Sequence, residues 1–354
     1  MDILFIYYVP SGGVETLNRQ RSAALKAAGI QSHFLYYRME RTLVNDHEAP
    51  LHIKSDENEI RSLIESTRFD AIVVTSDYLL LPKIRSWGYT GKLIFEIQGL
   101  GSQETARTVL TYAISYITPS ANCILSSKTP HIMQMLGELY PGFPAYFMDN
   151  CFDAERFTHR TSAASVKPII GWIGRLEDNK NWREFLLIAH LFSNAFFLDA
   201  DFYMFEDHTL SAPEERAQFD ALRNMLGLES KLTVLSNIPN QEMTEYFSRM
   251  ADSGGFLCST SKVEGFGYAI VEAMSCGCPV LSTNSDGVQS SIIHNVTGKF
   301  YTLGNIHEAC LEGLELIQNK ETRARIQASA LAHIKEHFSN QKYSQSFLEM
   351  LCSI

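Results

Sequence analysis

Positive charge is in short supply. The 354-residue chain carries 30 Lys and Arg against 40 Asp and Glu, a formal net charge of -10. A general nucleic-acid binder shows a basic footprint, so that class of partner is not expected, and nothing in the charge supports peripheral membrane contact. Long apolar runs are missing too: no segment reaches the ~20 uninterrupted apolar residues of a spanning helix. The 7 cysteines form no paired C-x-x-C blocks; Cys276-Gly277-Cys278 is the one close pair, with no Cys or His pair beside it. No metal site is therefore expected, and buried thiols in a reducing cytosol are. The G-x-G-x-x-G fingerprint is absent, which removes the main support for an NAD-dependent oxidoreductase. With 21 Gly, 11 Pro and 45% hydrophobic residues, collagen-like, low-complexity and wholly disordered architectures are excluded.

What is present is alternation. Short apolar runs at Ile3–Tyr8, His33–Tyr37, Ala71–Thr75 and Leu93–Ile97 read as buried strands, and Tyr116–Thr118 reads as closing the series. Thr16–Ala28 has helical periodicity and stops at Gly29. The rhythm restarts with strands at Pro168–Ile173, Phe202–Phe205, Leu232–Leu235, Phe256–Cys258 and Pro279–Ser282, and a helix at Trp182–Leu191. Strand–helix alternation implies parallel sheets with right-handed crossovers. Length favours two domains, and the polar stretch Asp153–Lys167, with Thr161-Ser162-Ala163-Ala164-Ser165, suits a connection. The expected division is 1–155, then 156–335, with 336–354 as a terminal helix. The first residues read as a strand rather than a leader, which gives the expectation of a cytoplasmic protein.

Two doubly wound domains leave a cleft outside the carboxyl ends of their strands, where ligands bind. Three segments carry chemistry there. Pro10-Ser11-Gly12-Gly13-Val14-Glu15 brings paired glycines to a helix start, an anion cradle in principle, although glycine pairs in plain turns are common. Gly174-Arg175-Leu176-Glu177-Asp178-Asn179-Lys180 offers a guanidinium fork and an ammonium that could meet one diphosphate. The bland reading is two solvated charges neutralised by Glu177 and Asp178. Glu264-Gly265-Phe266-Gly267-Tyr268-Ala269-Ile270-Val271-Glu272 places two carboxylates eight positions apart, the first on a glycine-bearing loop and the second just over one turn into a helix. The loop carboxylate can accept from sugar hydroxyls, the helical one from a ribose, and amides between them can donate to phosphate.

This last segment resembles the E-x7-E signature of the retaining GT-B glycosyltransferases, glycosyltransferase family four in particular. Gly174-Arg175-Leu176 with Lys180 is similar to that family's G-R-L-x-x-x-K element, Gly12-Gly13-Val14-Glu15 to its G-G-x-E loop, and Asn150-Cys151-Phe152-Asp153-Ala154-Glu155-Arg156-Phe157 to its crossover stretch. Cys276-Gly277-Cys278-Pro279-Val280 matches the strand entry after the signature helix. The resemblance covers nearly the whole chain in order. It implies an α/β protein of GT-B architecture, two Rossmann-like doubly wound domains, with an acceptor-side N-terminal domain, a donor-side C-terminal domain and a last helix crossing back.

By that resemblance Arg175 and Lys180 would clamp the donor diphosphate, Gly12 and Gly13 would offer backbone to it, and Glu264 would hold hydroxyls of the transferred sugar. Gly265, Phe266, Gly267 and Tyr268 would contact sugar and phosphate, Glu272 the ribose, and the turn Ser236-Asn237-Ile238-Pro239 the base. Glu15 and Gln98 would lie on the sugar or acceptor side. Gln98 stands where the family often has histidine, and Lys180-Asn181 replaces the usual Lys-Gly. An amide does not titrate near neutral pH, so the histidine's role is positional, filled elsewhere or missing. The implied reaction is retaining transfer from a nucleotide diphospho-sugar, UDP-sugar favoured, to an acceptor hydroxyl of unknown identity, without cofactor or metal. A nucleotide-sugar epimerase and a non-catalytic nucleotide-sugar-binding homologue are the alternatives. Trp87, Tyr112 and Tyr116 read either as core aromatics or as platforms for an acceptor, and core is the favoured reading.

Overall fold

The computed structural model describes residues 1–39, 48–161 and 165–354; Ser162, Ala163 and Ala164 of the expected connection lie outside them. The chain forms two compact units, Met1–Asp153 with His337–Ile354, and Ala154–Glu336.

The first unit is built on a 7-stranded parallel sheet. Its strands are β1 Asp2–Tyr7, β2 Gln31–Tyr36, β3 Leu51–Ile53, β4 Ala71–Thr75, β5 Lys92–Ile97, β6 Cys123–Ser126 and β7 Ala145–Phe147. They are joined by helices α1 Gly12–Ala27, α2 Glu57–Thr67, α3 Leu80–Ser86, α4 Gln103–Ile117 and α5 Pro130–Leu139. The order β3-β2-β1-β4-β5-β6-β7 reverses direction between β1 and β4. That reversal is the topological switch point, where two crossovers leave on opposite faces and open a crevice. β4, Ala-Ile-Val-Val-Thr, is buried at every residue, as expected of a central strand covered on both faces.

The second unit has a 6-stranded sheet: β8 Ile169–Ile173, β9 Asp201–Glu206, β10 Leu232–Ser236, β11 Phe256–Ser259, β12 Val280–Thr283 and β13 Lys299–Tyr301. Its helices are α6 Trp182–Asn194, α7 Pro213–Met225, α8 Met243–Asp252, α9 Tyr268–Ser275, α10 Ile306–Gln318 and α11 Lys320–His337. The order β10-β9-β8-β11-β12-β13 reverses between β8 and β11. Its core joins Trp172, Trp182, Phe185, Phe202 and Phe256. A last helix, α12 Asn340–Ser353, packs on α1 in the first unit, with the Phe347 ring 6.1 Å from Phe5.

Three sequence expectations need correction. Tyr116–Thr118 is the end of α4, not a strand; Ala106, Leu110, Ala113 and Ile117 form one buried stripe at helical spacing, and the next strand in the chain is β6. The first helix starts at Gly12 rather than Thr16, so the glycine pair lies in its first turn. Tyr112 is not core but 62% exposed, whereas Trp87 packs partly buried against the core. Among the described residues no helix is long and apolar enough to cross a membrane.

Candidate functional site

In the second unit the switch point is bounded by the loops that leave β8 and β11. After β8 the chain runs through Gly174 and Arg175 into a 3-10 turn, Asp178–Lys180, and enters α6 through Asn181. Asn181 has φ 52, a left-handed conformation. Asparagine tolerates this region better than most side chains, so the replacement of the family's glycine keeps the backbone path. After β11 the chain runs Thr260-Ser261-Lys262-Val263-Glu264 to α9.

These two loops are laced together. The Asn179 amide donates to the Val263 carbonyl (3.0 Å) and its oxygen accepts from the Val263 N–H (3.2 Å). The Lys262 N–H donates to the Asn179 carbonyl (2.8 Å), and Lys262 Nζ bonds Asp178 (2.7 Å). Thr260 Oγ1 points at the carbonyls of Lys180 (2.9 Å) and Asn181 (3.0 Å) while accepting from the Trp172 indole (2.9 Å). The result is a fixed meeting of Lys180 with Glu264: Nζ bonds Oε1, and Ser261 Oγ donates to the same oxygen (2.7 Å). Both charged side chains are largely covered, 22% and 15% exposed. Lys180 is thus not the freely solvated lysine that a charge on a loop suggests.

The loop carrying Glu264 rests on a glycine. A Cβ at Gly287, in the turn after β12, would stand 2.1 Å from the Glu264 carbonyl oxygen, closer than any real contact. Gly267 enters α9 at φ 77, again left-handed, and this end of the helix has no side-chain cap. Phe266 and Tyr268 are buried, with rings 4.9 Å apart. Gly265 lies on the same loop between Glu264 and Phe266.

Glu272, in the second turn of α9, is buried, and the Asn240 amide donates to it (2.9 Å). Asn240 belongs to the turn after β10 that holds Ile238, so that turn and α9 are joined. At its start Ser236 Oγ bonds Glu206, which also holds Arg216. Arg175, on the same loop as Lys180, is half exposed and pairs with Glu177 at 3.2 Å. The structure therefore brings Lys180 to Glu264 and Glu272 to the Ile238 turn, and it bonds Arg175 to its own loop.

The first unit presents its residues at the carboxyl end of its own sheet. Gly12 and Gly13 open α1 after β1, and a Cβ at either would meet nothing among the described residues within 4 Å. Glu15 is buried and bonds Arg19 one turn on (2.6 Å). Gln98, just after β5, is held on both atoms of its amide. Its nitrogen donates to Glu96 (2.9 Å) and to Asn150 (3.2 Å), and its oxygen accepts from Asn150 (2.9 Å). Glu96 is buried and takes a two-point bond from buried Arg21 (3.1 and 2.7 Å) and one from Thr75 (2.6 Å). Asn179, Ser261, Asn240, Gly287 and the Arg21–Glu96 pair were not found by sequence reasoning. The hydroxyl pair Thr260-Ser261 directly after β11 was the one available signal.

Comparison with known proteins fits this architecture. The trehalose synthase of Thermococcus litoralis is 27% identical over 143 residues, 40% of this chain and 34% of that protein. The sucrose synthase of Denitrovibrio acetiphilus is 27% identical over 190 residues, 51% of this chain and 22% of its own. The chain thus matches about a third or less of the length of these curated relatives. Among solved structures, Anabaena HepE in complex with UDP and glucose superimposes with a TM-score of 0.82 at 19% identity, covering 100% of both chains, which shows the GT-B fold. The family described as Glycosyl transferases group 1 matches residues 154–333, half of the chain. With its two doubly wound units and that match across the second of them, the chain belongs to the glycosyl transferases group 1 family.

Proposed function

We propose that the protein transfers a sugar from a nucleotide diphospho-sugar, a UDP-sugar favoured, to an acceptor hydroxyl with retention at the anomeric carbon. The observation that carries the reading is the Lys180–Glu264 pair at the switch point of the second unit. An ammonium has three donors. One is spent on Glu264, which leaves others for phosphate oxygens. Both bonds to Glu264 fall on Oε1, so Oε2 is the acceptor offered to sugar hydroxyls. One side-chain pair thus sets phosphate and sugar at a fixed separation.

In the reaction the bond from the anomeric carbon to the phosphate oxygen breaks, and the electron pair leaves with the phosphate. Lys180, Arg175 and the uncapped start of α9 stabilise that developing charge, in place of a metal ion or cofactor. The acceptor hydroxyl attacks from the face the phosphate leaves, and its proton passes to the departing phosphate oxygen. Gly265, Phe266, Gly267 and Tyr268 line the sugar and phosphate, and Glu272 with the Ile238 turn takes ribose and base. Gly12 and Gly13 offer backbone amides; nothing in the structure otherwise demands a glycine at 13, whose φ is ordinary and whose Cβ position is open. Gln98, locked by Glu96 and Asn150, acts by hydrogen bonding rather than proton transfer, and Glu15 lies on the same acceptor side. The reading includes a cytoplasmic setting, in keeping with free cysteines.

The test is incubation with UDP-glucose, following UDP release and the anomer produced by NMR. Slow hydrolysis giving first the α-anomer is expected. A first-formed β-anomer would reject retention, and an altered sugar nucleotide without acceptor would favour an epimerase. Lys180→Ala should lower turnover at least about tenfold, and as much as ~100-fold if it supplies one preorganised electrostatic donor. Unchanged turnover would reject the phosphate role. Glu272→Gln should weaken UDP affinity more than it changes turnover at saturation.

A further inference from the structure

The switch point of the first unit lies between β1 and β4, and a tyrosine follows each of the strands β1, β2 and β4 around it within three residues. Tyr8 follows β1, Tyr37 follows β2, and Asp77 and Tyr78 follow β4. Tyr8 and Tyr37 meet edge to face at 5.6 Å. Tyr78 lies 5.5 Å from Tyr116 and 6.3 Å from Tyr112, two rings of α4 that stack at 5.9 Å. Asp77 precedes Tyr78 in the chain and is bonded from the other group: the Tyr37 hydroxyl donates to its Oδ2 at 2.6 Å, and both Asp77 and Tyr78 lie close enough to Tyr8 to act on its phenol. Burial, ahead of the nearby Asp77, pushes the Tyr8 phenol up to about 12, so it remains a hydroxyl donor at any physiological pH. Tyr8 is 40% exposed and Tyr112 62%. Ser76, which presents Asp77, has φ 68, a strained value for a side-chain-bearing residue.

We infer that this tyrosine surface around Asp77 is the acceptor subsite and that the acceptor is a neutral saccharide. The inference rests on the transferase reading above. Tyrosine offers an apolar ring and a polar tip, and the C–H face of a pyranose packs on such rings while its hydroxyls reach the tips. The Asp77 oxygen not bonded by Tyr37 accepts from a sugar hydroxyl. A carboxylate within the surface disfavours phosphate groups and acidic lipid headgroups at that place. Strain at Ser76 is accounted for if the turn must aim Asp77 outward.

Saturation-transfer NMR on the full chain without donor tests this, using glucose, galactose, mannose, N-acetylglucosamine and maltose as probes. Transfer to the ring C–H protons of at least one of them is expected. Tyr112→Ala and Asp77→Asn should each cut it about fivefold, and Tyr112→Phe, which keeps the ring, should retain it. Circular dichroism melts establish that the variants fold; Tyr112 is exposed enough for its removal to leave the core intact. Overturning results are no transfer from any probe, equal transfer in wild type and both variants, or stronger binding of glucose 6-phosphate than of glucose. Tyr112-dependent sedimentation with phosphatidylcholine–phosphatidylglycerol vesicles would also overturn it. UDP titrated into the same wild-type sample reads the transferase assignment separately: if UDP binds and no sugar does, only the acceptor inference falls.

Discussion

Lys180 and Glu264 hold each other before any substrate arrives, and that sets what substitution should do. Removing the carboxylate, as in Glu264→Gln, leaves the ammonium with one partner fewer in a largely covered place, so activity should fall while phosphate affinity rises or holds. Inhibition by UDP, compared between wild type and variant, checks this. Charge pairing also governs acid behaviour farther along α6 and α7. Hydrogen bonds from Arg183, outweighing the effect of burial, and from the Trp182 indole hold the Glu215 carboxyl below its ordinary value. A depressed carboxylate contributes stability that is present above its unfolded pKa and is lost as pH falls through the lower folded value. Thermal melts should therefore show a loss below roughly pH 4.3 that Glu215→Gln diminishes, measured by following Tm against pH. The cysteines behave as a buried set. Burial pushes Cys123, Cys151, Cys278 and Cys310 up to about 12, whereas Cys352 is exposed. Iodoacetamide should label Cys352 alone in the native protein and all 7 cysteines in denaturant, read by mass spectrometry.

At the scale of elements, Gly287 and Gly13 make contrasting predictions. Alanine at 287 must push the Glu264 loop aside, so Gly287→Ala should cost about 1–3 kcal/mol and most of the activity. Alanine at 13, in the first turn of α1 with open space before it, should be neutral or stabilise by up to ~1 kcal/mol and yet reduce turnover if donor backbone contact is the role. Melting curves and turnover measured on both variants separate the two cases. The same elements show how much was legible in the sequence. Central strands such as β1, β4 and β8 could be read because covering on both faces demands continuous apolar runs. The short edge strands β3 and β7 could not, since they are three residues long and only partly buried. Tyr116–Thr118 misled because the stripe ending at Ile117 looks, in three residues, like a strand. Arg175, Lys180, Glu264 and Glu272 could be picked out by type and spacing. That Lys180 would turn toward Glu264, and that Asn179 would lace their loops, depends on contacts 84 positions apart, which no local pattern encodes.

At the scale of the molecule, the units differ in how the chain composes them. The second is one continuous segment, Ala154–Glu336; the first is made of two, Met1–Asp153 and His337–Ile354. α12 contributes buried Tyr343, Phe347, Met350 and Leu351 to the first unit, and Lys92 Nζ bonds the Leu351 carbonyl. Deleting residues 340–354 should therefore destabilise the first unit and leave the second folded. Hydrogen exchange should show protection lost in β1 and α1 but retained in β8 and β11. Synthesis on the ribosome runs in one direction, so the segment that seals α1 emerges only after the whole second unit. Throughout translation of the intervening 154–336 stretch, the nascent first unit must wait with Phe5 and its neighbours uncovered, which makes this half the one that chaperones would meet first.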